Sequence, residues 1–277
     1  MILGYNTNGF AHHRLEDAVE IIAELGYRGV ALTPDVHHFT TFESDLTERT
    51  AVLRRHYSDL GLRCVVETGS RFLLDPRRKH QPTLISSSAN ERARRFTFLE
   101  NCVAIAGRCD LEAYVVSFWS GTPVDDARPS ELMARLVAGC KHLADWAAVN
   151  EVHLAFEPEP GMFIDTMDKF AELHAKVNHP AFGLTVDVGH LVCNGELPVS
   201  EHLVRWKDVL WNVHIEDMRR GIHDHLMFGE GEVDFADVFA GLRAAGYEGM
   251  VSVELSRHSH DAVNAARKSM EFLRRYV

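Results

Sequence analysis

The sequence lacks the features that mark several large protein classes. Its 277 residues contain no run of about 18 apolar residues, the length that a transmembrane helix needs. Residues 1–6 show no basic segment followed by a long apolar stretch, so no secretory signal peptide is expected. The five cysteines are odd in number and form no Cys-x-x-Cys pair, which favours free thiols in a reducing, cytoplasmic setting.

Positive charge is also scarce. The chain has 29 Lys and Arg against 40 Asp and Glu, a formal net charge of −11. A protein that binds a phosphate backbone needs many cationic side chains, so this net charge argues against nucleic acid as the main partner. It does not exclude a local basic pocket. With 19 Gly and 9 Pro the chain is not collagenous, and a hydrophobic fraction of 46% excludes a disordered chain. The unusual count is 17 histidines.

What the sequence contains is an alternation of short apolar runs with stretches of helical period. In the first such stretch, apolar residues recur at Leu15, Ala18, Val19, Ile22 and Leu25. Strands are predicted at residues 2–5, 29–32, 63–66, 114–118, 152–156, 182–186, 210–215 and 250–253. Helices are predicted at residues 15–25, 47–60, 93–106, 131–148, 168–177, 200–209, 235–245 and 261–276.

Eight strand–helix units in 277 residues have the size of a parallel βα repeat, about 35 residues each. Strict alternation predicts a parallel sheet. Eight units favour a closed barrel, and no Gly-x-Gly-x-x-Gly follows the first strand to indicate an open dinucleotide-binding sheet. Without a Pro- or Ser-rich linker, residues 1–277 are expected to form a single α/β domain, a (β/α)8 TIM barrel.

In such a barrel the chemistry lies at the carboxyl ends of the strands. The predicted strands end at Asn6, residues 33–38, Glu67, Ser117, Glu157, Asp187, His214 and Glu254. The last four are metal-ligand types, and three carboxylates around one imidazole would repel one another without a cation. This donor set suits Mn²⁺, Co²⁺, Zn²⁺, Fe²⁺ or Mg²⁺. Glu159 rivals Glu157, because residues two apart on a strand face the same way.

Four stretches carry a family resemblance. They are Phe-Glu-Pro-Glu-Pro-Gly at 156–161, Val-Asp-Val-Gly-His at 186–190, Val-His-Ile-Glu-Asp at 213–217 and Val-Glu-Leu at 253–255. With these four stretches in this order at consecutive strand ends, the sequence resembles the xylose isomerase-like barrel superfamily of sugar isomerases, sugar epimerases and apurinic endonucleases. The resemblance covers essentially the whole chain. The resemblance implies that Glu157, Asp187, His214 and Glu254 hold a shared divalent metal.

The resemblance also implies a mechanism. In ketose 3-epimerase relatives, one metal-bound carboxylate removes a proton next to the carbonyl and a second returns it on the opposite face. Here these would be Glu157 and Glu254, with the metal stabilising an enediolate. His190 and Arg220 correspond to residues that bind substrate oxygens. The expected activity is isomerisation or epimerisation of a sugar, sugar phosphate or polyol, and the relatives lean towards a homodimer.

A His-x-His pair, His223 and His225, follows the seventh strand and projects to one side if extended. Together with His190 it is a candidate second metal site, or else it binds sugar directly or belongs to a hydrophilic loop. Apurinic endonuclease relatives carry Asp-x-His there and hold three metals. They have histidines where this chain has Glu67 and Ser117, which argues against a full three-metal centre. The alternative function is a di- or trinuclear metal-dependent phosphoesterase acting on a small phosphoester.

Other candidates follow the third and fourth strands. Arg77, Arg78 and Lys79, with Arg71 nearby, would grip a phosphate or carboxylate on the substrate, or else form a solvated charge run. Glu67 is read as an additional ligand, a substrate-binding base or a partner of Arg71. Trp119 is expected to form an apolar wall against a sugar face, or else to pack in the core. Asp217 is expected to orient His214 rather than to bind the metal itself.

Overall fold

The predicted strands form one closed parallel barrel in the computed structural model, which describes residues 1–108 and 114–277. The strands are β1 (Ile2–Asn6), β2 (Gly29–Leu32), β3 (Arg63–Glu67), β4 (Val115–Phe118), β5 (His153–Phe156), β6 (Phe182–Asp187), β7 (Leu210–Ile215), β8 (Asp217–Arg219), β9 (Ile222–Leu226) and β10 (Met250–Val253). β10 pairs with both β1 and β7 and so closes the ring, while β8 and β9 form a separate antiparallel hairpin. The predicted barrel is confirmed.

Helices connect the barrel strands. They are α1 (Leu15–Glu24), α2 (Leu46–Asp59), α3 (Ala89–Arg108), α4 (Pro129–Val149), α5 (Met167–Val177), α6 (Val188–Asn194), α7 (Val199–Arg205), α8 (Phe235–Ala244) and α9 (Ala262–Leu273), with short 3-10 turns at Thr7–Phe10 and Ser259–Asp261. Within the described ranges, no helix combines the length and apolar character that a bilayer-spanning segment requires. Of the five cysteines, Cys64, Cys102, Cys140 and Cys193 are buried, and Cys109 lies outside the described residues.

A polar layer lies inside the barrel, among otherwise apolar strands. Ser117, Thr185 and Asn212 are buried there, and Thr185 Oγ1 donates to Ser117 Oγ at 2.9 Å. Asp187 lies two residues after Thr185 in β6, and His214 lies two residues after Asn212 in β7. Because side chains alternate along a strand, both face the same barrel interior. Outward residues of the same strands pack against the helices and form the core. Strand alternation therefore directs polar groups towards the carboxyl-terminal mouth.

The connection after β6 differs from the prediction. Asp187 accepts the backbone N–H of His190 at 2.9 Å, so it caps the additional helix α6, which ends at Asn194 with Gly195 as its C-cap. The helix predicted at residues 200–209 is too long, because α7 ends at Arg205. The chain has already joined the barrel by Val209, whose carbonyl accepts the N–H of Leu184 in β6.

The hairpin β8–β9 is held in place by one buried carboxylate. Asp217 accepts the backbone N–H groups of Met218, Gly229 and Val233 at 3.0, 2.8 and 3.1 Å. A Cβ at Gly231 would collide with the Asp217 carboxylate, so this close approach requires glycine. Asp217 is thus engaged in closing the loop that carries the His-x-His pair over the barrel mouth.

Candidate active site

Four neighbouring strands bring the predicted metal ligands together. Glu157 follows β5, Asp187 ends β6, His214 lies in β7 and Glu254 follows β10. Each offers one ligand atom, and these atoms all lie within 4.8 Å of one another. The barrel order β5–β6–β7–β10 explains the convergence, because the carboxyl ends of parallel strands meet at the same mouth.

The imidazole of His214 lies at the centre of this group. Its Nδ1 is 3.0 Å from Glu157 Oε1, 3.1 Å from Glu254 Oε2 and 4.0 Å from Asp187 Oδ2. Asn8 donates from Nδ2 to Glu254 Oε1 at 2.8 Å. Asp187 Oδ2 is buried without a hydrogen-bond donor among the described residues. Three carboxylates around one imidazole leave negative charge uncompensated, so the donor set fits a divalent cation.

The opposite edge of the His214 ring, which carries Nε2, contacts Glu67. His214 Nε2 lies 2.9 Å from Glu67 Oε1, which also accepts from Asn212 Nδ2 at 2.9 Å. With a cation bound, a proton on Nε2 would leave the lone pair of Nδ1 directed towards that cation, as in metal sites where a carboxylate orients a histidine. The sequence assigned this orienting role to Asp217, and that prediction is wrong because Asp217 binds backbone N–H groups. Arg71, the other predicted partner of Glu67, donates to the Ser256 carbonyl at 3.1 Å.

The environment separates the two carboxyls proposed as acid and base. Burial raises the pKa of Glu157 to about 8, against the opposing effect of His214. Burial also disfavours ionisation of Glu254, but the neighbouring His214, His225 and Asn8 together hold the pKa of Glu254 well below its ordinary value. Two carboxyls whose pKa values lie on opposite sides of neutrality suit an acid and a base.

A cavity of about 350 Å³ contains these groups, within the range of roughly 300–1,000 Å³ typical of small-molecule sites. Three histidines form part of its lining. The ring centroids of His190 and His223 are 4.7 Å apart, and that of His225 lies 5.9 and 5.4 Å from them. Each ring offers a ligand atom within 4.8 Å of the other two. The structure therefore brings together the predicted His190, His223 and His225 set.

The sequence that forms this barrel matches a known family. The family model described as xylose isomerase-like TIM barrel matches residues 19–276. The chain belongs to this family. Curated relatives that it matches are covered over 44–66% of their own length. One is the inosose dehydratase of Geobacillus thermodenitrificans, 30% identical over 152 residues that cover 48% of this chain and 51% of that protein.

Solved structures of this xylose isomerase-like fold superpose on the whole chain. D-allulose 3-epimerase from Methylomonas sp., in complex with D-allulose, has a TM-score of 0.79 and 19% identity, covering 100% of this chain and 97% of that one. The IolI protein with a bound zinc atom has a TM-score of 0.76 and 17% identity, covering 100% and 99%. At these identities the likeness establishes the shared fold.

The predicted substrate contacts divide into two groups. Trp119 and Lys79 line the cavity together with His190 and Glu67. Three predicted arginines, Arg77, Arg78 and Arg220, are exposed and lie outside the lining of the cavity.

Local contacts hold two of these arginines, Arg78 and Arg220, away from the cavity. Arg78 forms ion pairs at 2.7 Å with both Asp75 and Glu91, which hold it on the outer surface. Arg220 lies at the turn of the β8–β9 hairpin, and its guanidinium points towards Gly195 at the end of α6. Lys79 is exposed as well but lines the cavity, where partial burial and the nearby Arg71 lower the pKa of its ammonium group.

Sequence reasoning missed several groups of the site. Asn212 in β7 and Glu216, the residue after β7, each lie two residues from His214, so strand alternation could have identified them. Asn8 lies in the 3-10 turn after β1, where no sequence pattern marks it. Arg257, which lines the cavity, follows β10 in a loop without a motif.

Proposed function

We propose that this chain is a divalent-metal-dependent isomerase or epimerase of a sugar, sugar phosphate or polyol. The reaction is proton transfer next to a carbonyl, through an enediolate. One observation carries the proposal: Glu157 and Glu254, from strands separated by two others in the barrel, approach the same His214 nitrogen at 3.0 and 3.1 Å. The family and the epimerase among its solved structures support the same class of reaction.

The metal would be held by Glu157, Asp187, His214 and Glu254. The fit rests on the buried Asp187 Oδ2, which has no donor in the described ranges, and on the mixed oxygen and nitrogen donors. When bound, a divalent ion polarises carbonyl and hydroxyl oxygens and stabilises the charge of an enediolate. Mn²⁺, Co²⁺, Zn²⁺, Fe²⁺ and Mg²⁺ all suit this donor set, and the zinc atom in the IolI structure supports a metal bound to a protein of this fold.

The chain's own residues perform the proton transfer. Glu254 is the base, because its pKa lies below the ordinary value and Asn8 fixes its carboxylate. Glu157 is the acid that returns the proton, because burial raises the pKa of its carboxyl to about 8 and so favours uptake of a proton. A substrate between them loses a proton to Glu254 on one face. It then gains one from Glu157 on the other, which inverts the carbon.

A second candidate is hydrolysis of a small phosphoester with two or more metals. The observation that favours it is the His190, His223 and His225 set beside the four-ligand site. Elemental analysis of protein purified without added metal, followed by assays on ketoses, ketose phosphates and an activated phosphodiester, separates the two. Ketose turnover supports the epimerase proposal, and ester cleavage without ketose turnover would replace it by the hydrolase.

Glu67→Gln is expected to weaken divalent-metal affinity about 10–100-fold. The substitution keeps the shape of the side chain but removes the negative charge that faces His214 Nε2 at 2.9 Å. Titration of the metal-free protein against a chelating indicator measures the effect. Glu91→Gln is the matched control, since Glu91 pairs with Arg78 on the surface. Equal affinities for the two variants would refute the orienting role of Glu67.

Lys79→Ala is expected to reduce the preference for a phosphorylated over a free ketose by about 10–100-fold in kcat/KM. Lys79 lines the cavity beside Arg71 and Arg257, and the cluster suits an anionic group on the substrate. Arg78→Ala is the control, since its two ion pairs keep it on the outer surface. If both variants shift the preference equally, the cluster acts through general charge rather than contact.

A further inference from the structure

Arg95 is a buried cation that no carboxylate compensates. It lies in α3, and the residue is only 1% exposed. Burial lowers the pKa of its guanidinium to about 10, so the group stays charged at neutral pH, and no Asp or Glu among the described residues offsets that shift. Burying an ionised group is unfavourable unless its neighbours stabilise it. The contacts of Arg95 therefore have to supply that stabilisation.

The guanidinium of Arg95 joins two residues of the cavity wall. Its Nη2 donates to the Thr68 carbonyl at 3.2 Å, and its Cζ lies 4.3 Å from the centroid of the Trp119 ring. Thr68 follows β3 and Trp119 follows β4, so one side chain from α3 contacts the ends of two neighbouring strands. Both residues line the cavity of the candidate active site. The Thr68 carbonyl anchors the cation, and the cation attracts the face of the indole.

The indole of Trp119 also contacts His80. The two ring centroids are 5.4 Å apart and the ring planes meet at 78°, an edge-to-face arrangement. His80 Nδ1 lies 3.0 Å from the Ser70 carbonyl, and burial lowers the pKa of His80 to about 4, which keeps this ring neutral. Trp119 is 5% exposed, so it presents only a small part of its surface to the cavity. Its position there depends on the groups packed against it.

We propose that Arg95 is a positioning residue for substrate binding, which fixes Trp119 as a rigid wall for an apolar face of the substrate. The inference rests on the proposed function, because it takes a sugar or polyol as the ligand of the cavity. A wall that is fixed before binding lowers the entropy cost of ordering it together with the substrate. Arg95 contacts Thr68, Phe98 and Trp119, none of which is proposed as a metal ligand or proton donor. Its loss should therefore weaken binding rather than proton transfer.

Binding and turnover of D-fructose, a simple ketose, separate this role from a merely structural one. In metal-loaded Arg95→Met, which keeps an unbranched side chain without the charge, the dissociation constant measured by calorimetry is expected to rise about tenfold, with kcat within about threefold of wild type. Arg95→Lys keeps a charge without the planar guanidinium and is expected to raise the constant about threefold. Arg92→Met is the matched control, since Arg92 in the same helix donates to the carbonyls of Ser86 and Ser87, outside the cavity lining, and it should bind like wild type.

A double-mutant cycle tests whether Arg95 acts through Trp119. Trp119→Leu alone is expected to weaken binding of D-fructose at least as much as Arg95→Met does, because it removes the wall itself. Adding Arg95→Met to Trp119→Leu should then raise the dissociation constant no further. Additive effects of the two substitutions would show that Arg95 acts by another route, and the proposal would be overturned.

The remaining outcomes separate this inference from the proposed function. Wild type that binds D-fructose without converting it would count against the proposed reaction and leave the comparison of dissociation constants intact. Unchanged binding in Arg95→Met, or a fall in kcat alone, overturns the inference only, and wild type that binds no D-fructose overturns both. If circular dichroism shows that Arg95→Met does not fold, Arg95→Lys decides, and unchanged binding in that variant is the contradicting result.

Discussion

Glu254→Gln and Glu157→Gln are each expected to lower the turnover of the ketose substrate by about 10²–10⁴-fold, the usual contribution of a positioned acid or base. Glutamine keeps the shape of each side chain but can neither take up nor release the proton. Because the two carboxyls act on opposite faces, neither substitutes for the other. Steady-state kinetics at saturating metal, with circular dichroism to verify the fold, measures the loss.

Glu159→Gln is the control for these variants. Its carboxyl shares the cavity with Glu157, but burial and the neighbouring Glu157 raise the pKa of Glu159 well above its ordinary value. A neutral carboxyl resembles glutamine, so this change is expected to cost at least about ten times less than either of the others. Full activity in both Glu157→Gln and Glu254→Gln would eliminate the acid–base mechanism.

Removing the metal is expected to abolish turnover and to destabilise the fold. A ligand present at 1,000 times its Kd stabilises the native state by about 4 kcal/mol, and the stripped site also brings three carboxylates within 4.8 Å of one another. Thermal unfolding before and after chelation measures this loss of stability as a lower melting temperature. Adding back Mn²⁺ or Co²⁺ should restore both activity and melting temperature.

The control for chelation is the Glu254→Gln variant. With one ligand removed, its melting temperature is expected to fall less on chelation than that of the wild type, because less binding energy is lost. Undiminished ketose turnover in protein whose metal content has been verified as zero would exclude a metal-dependent reaction.

The barrel and the meeting of the four proposed metal ligands at its mouth could be predicted from the sequence, because both depend on local periodicity. Apolar runs mark the strands, and the residues that end them, such as Asp187 and His214, meet at one mouth whatever the loops do. The same alternation, continued one residue past the end of β7, points to Glu216, two residues after His214, which the sequence interpretation overlooked.

The loops were less predictable because long-range contacts decide their course. Asp217 could be recognised as a polar strand-end residue, but its three backbone partners are up to 16 residues away, and they form the hairpin. Arg78 belongs to the densest basic cluster, yet Asp75 and Glu91 hold it outside the cavity. The partners of Asp217 and Arg78 depend on which groups lie near them in the folded chain. The periodicity of the sequence carries no information about that.

The central claim is proton transfer between a carbon of the substrate and the two carboxyls, and exchange with solvent tests it most directly. The ketose turned over by the metal-loaded enzyme is incubated in D₂O, and the product is analysed by NMR. Because Glu254 takes the proton on one face and Glu157 returns one on the other, deuterium is expected at the carbon next to the carbonyl. Isomerised or epimerised product without deuterium at that carbon would contradict the mechanism.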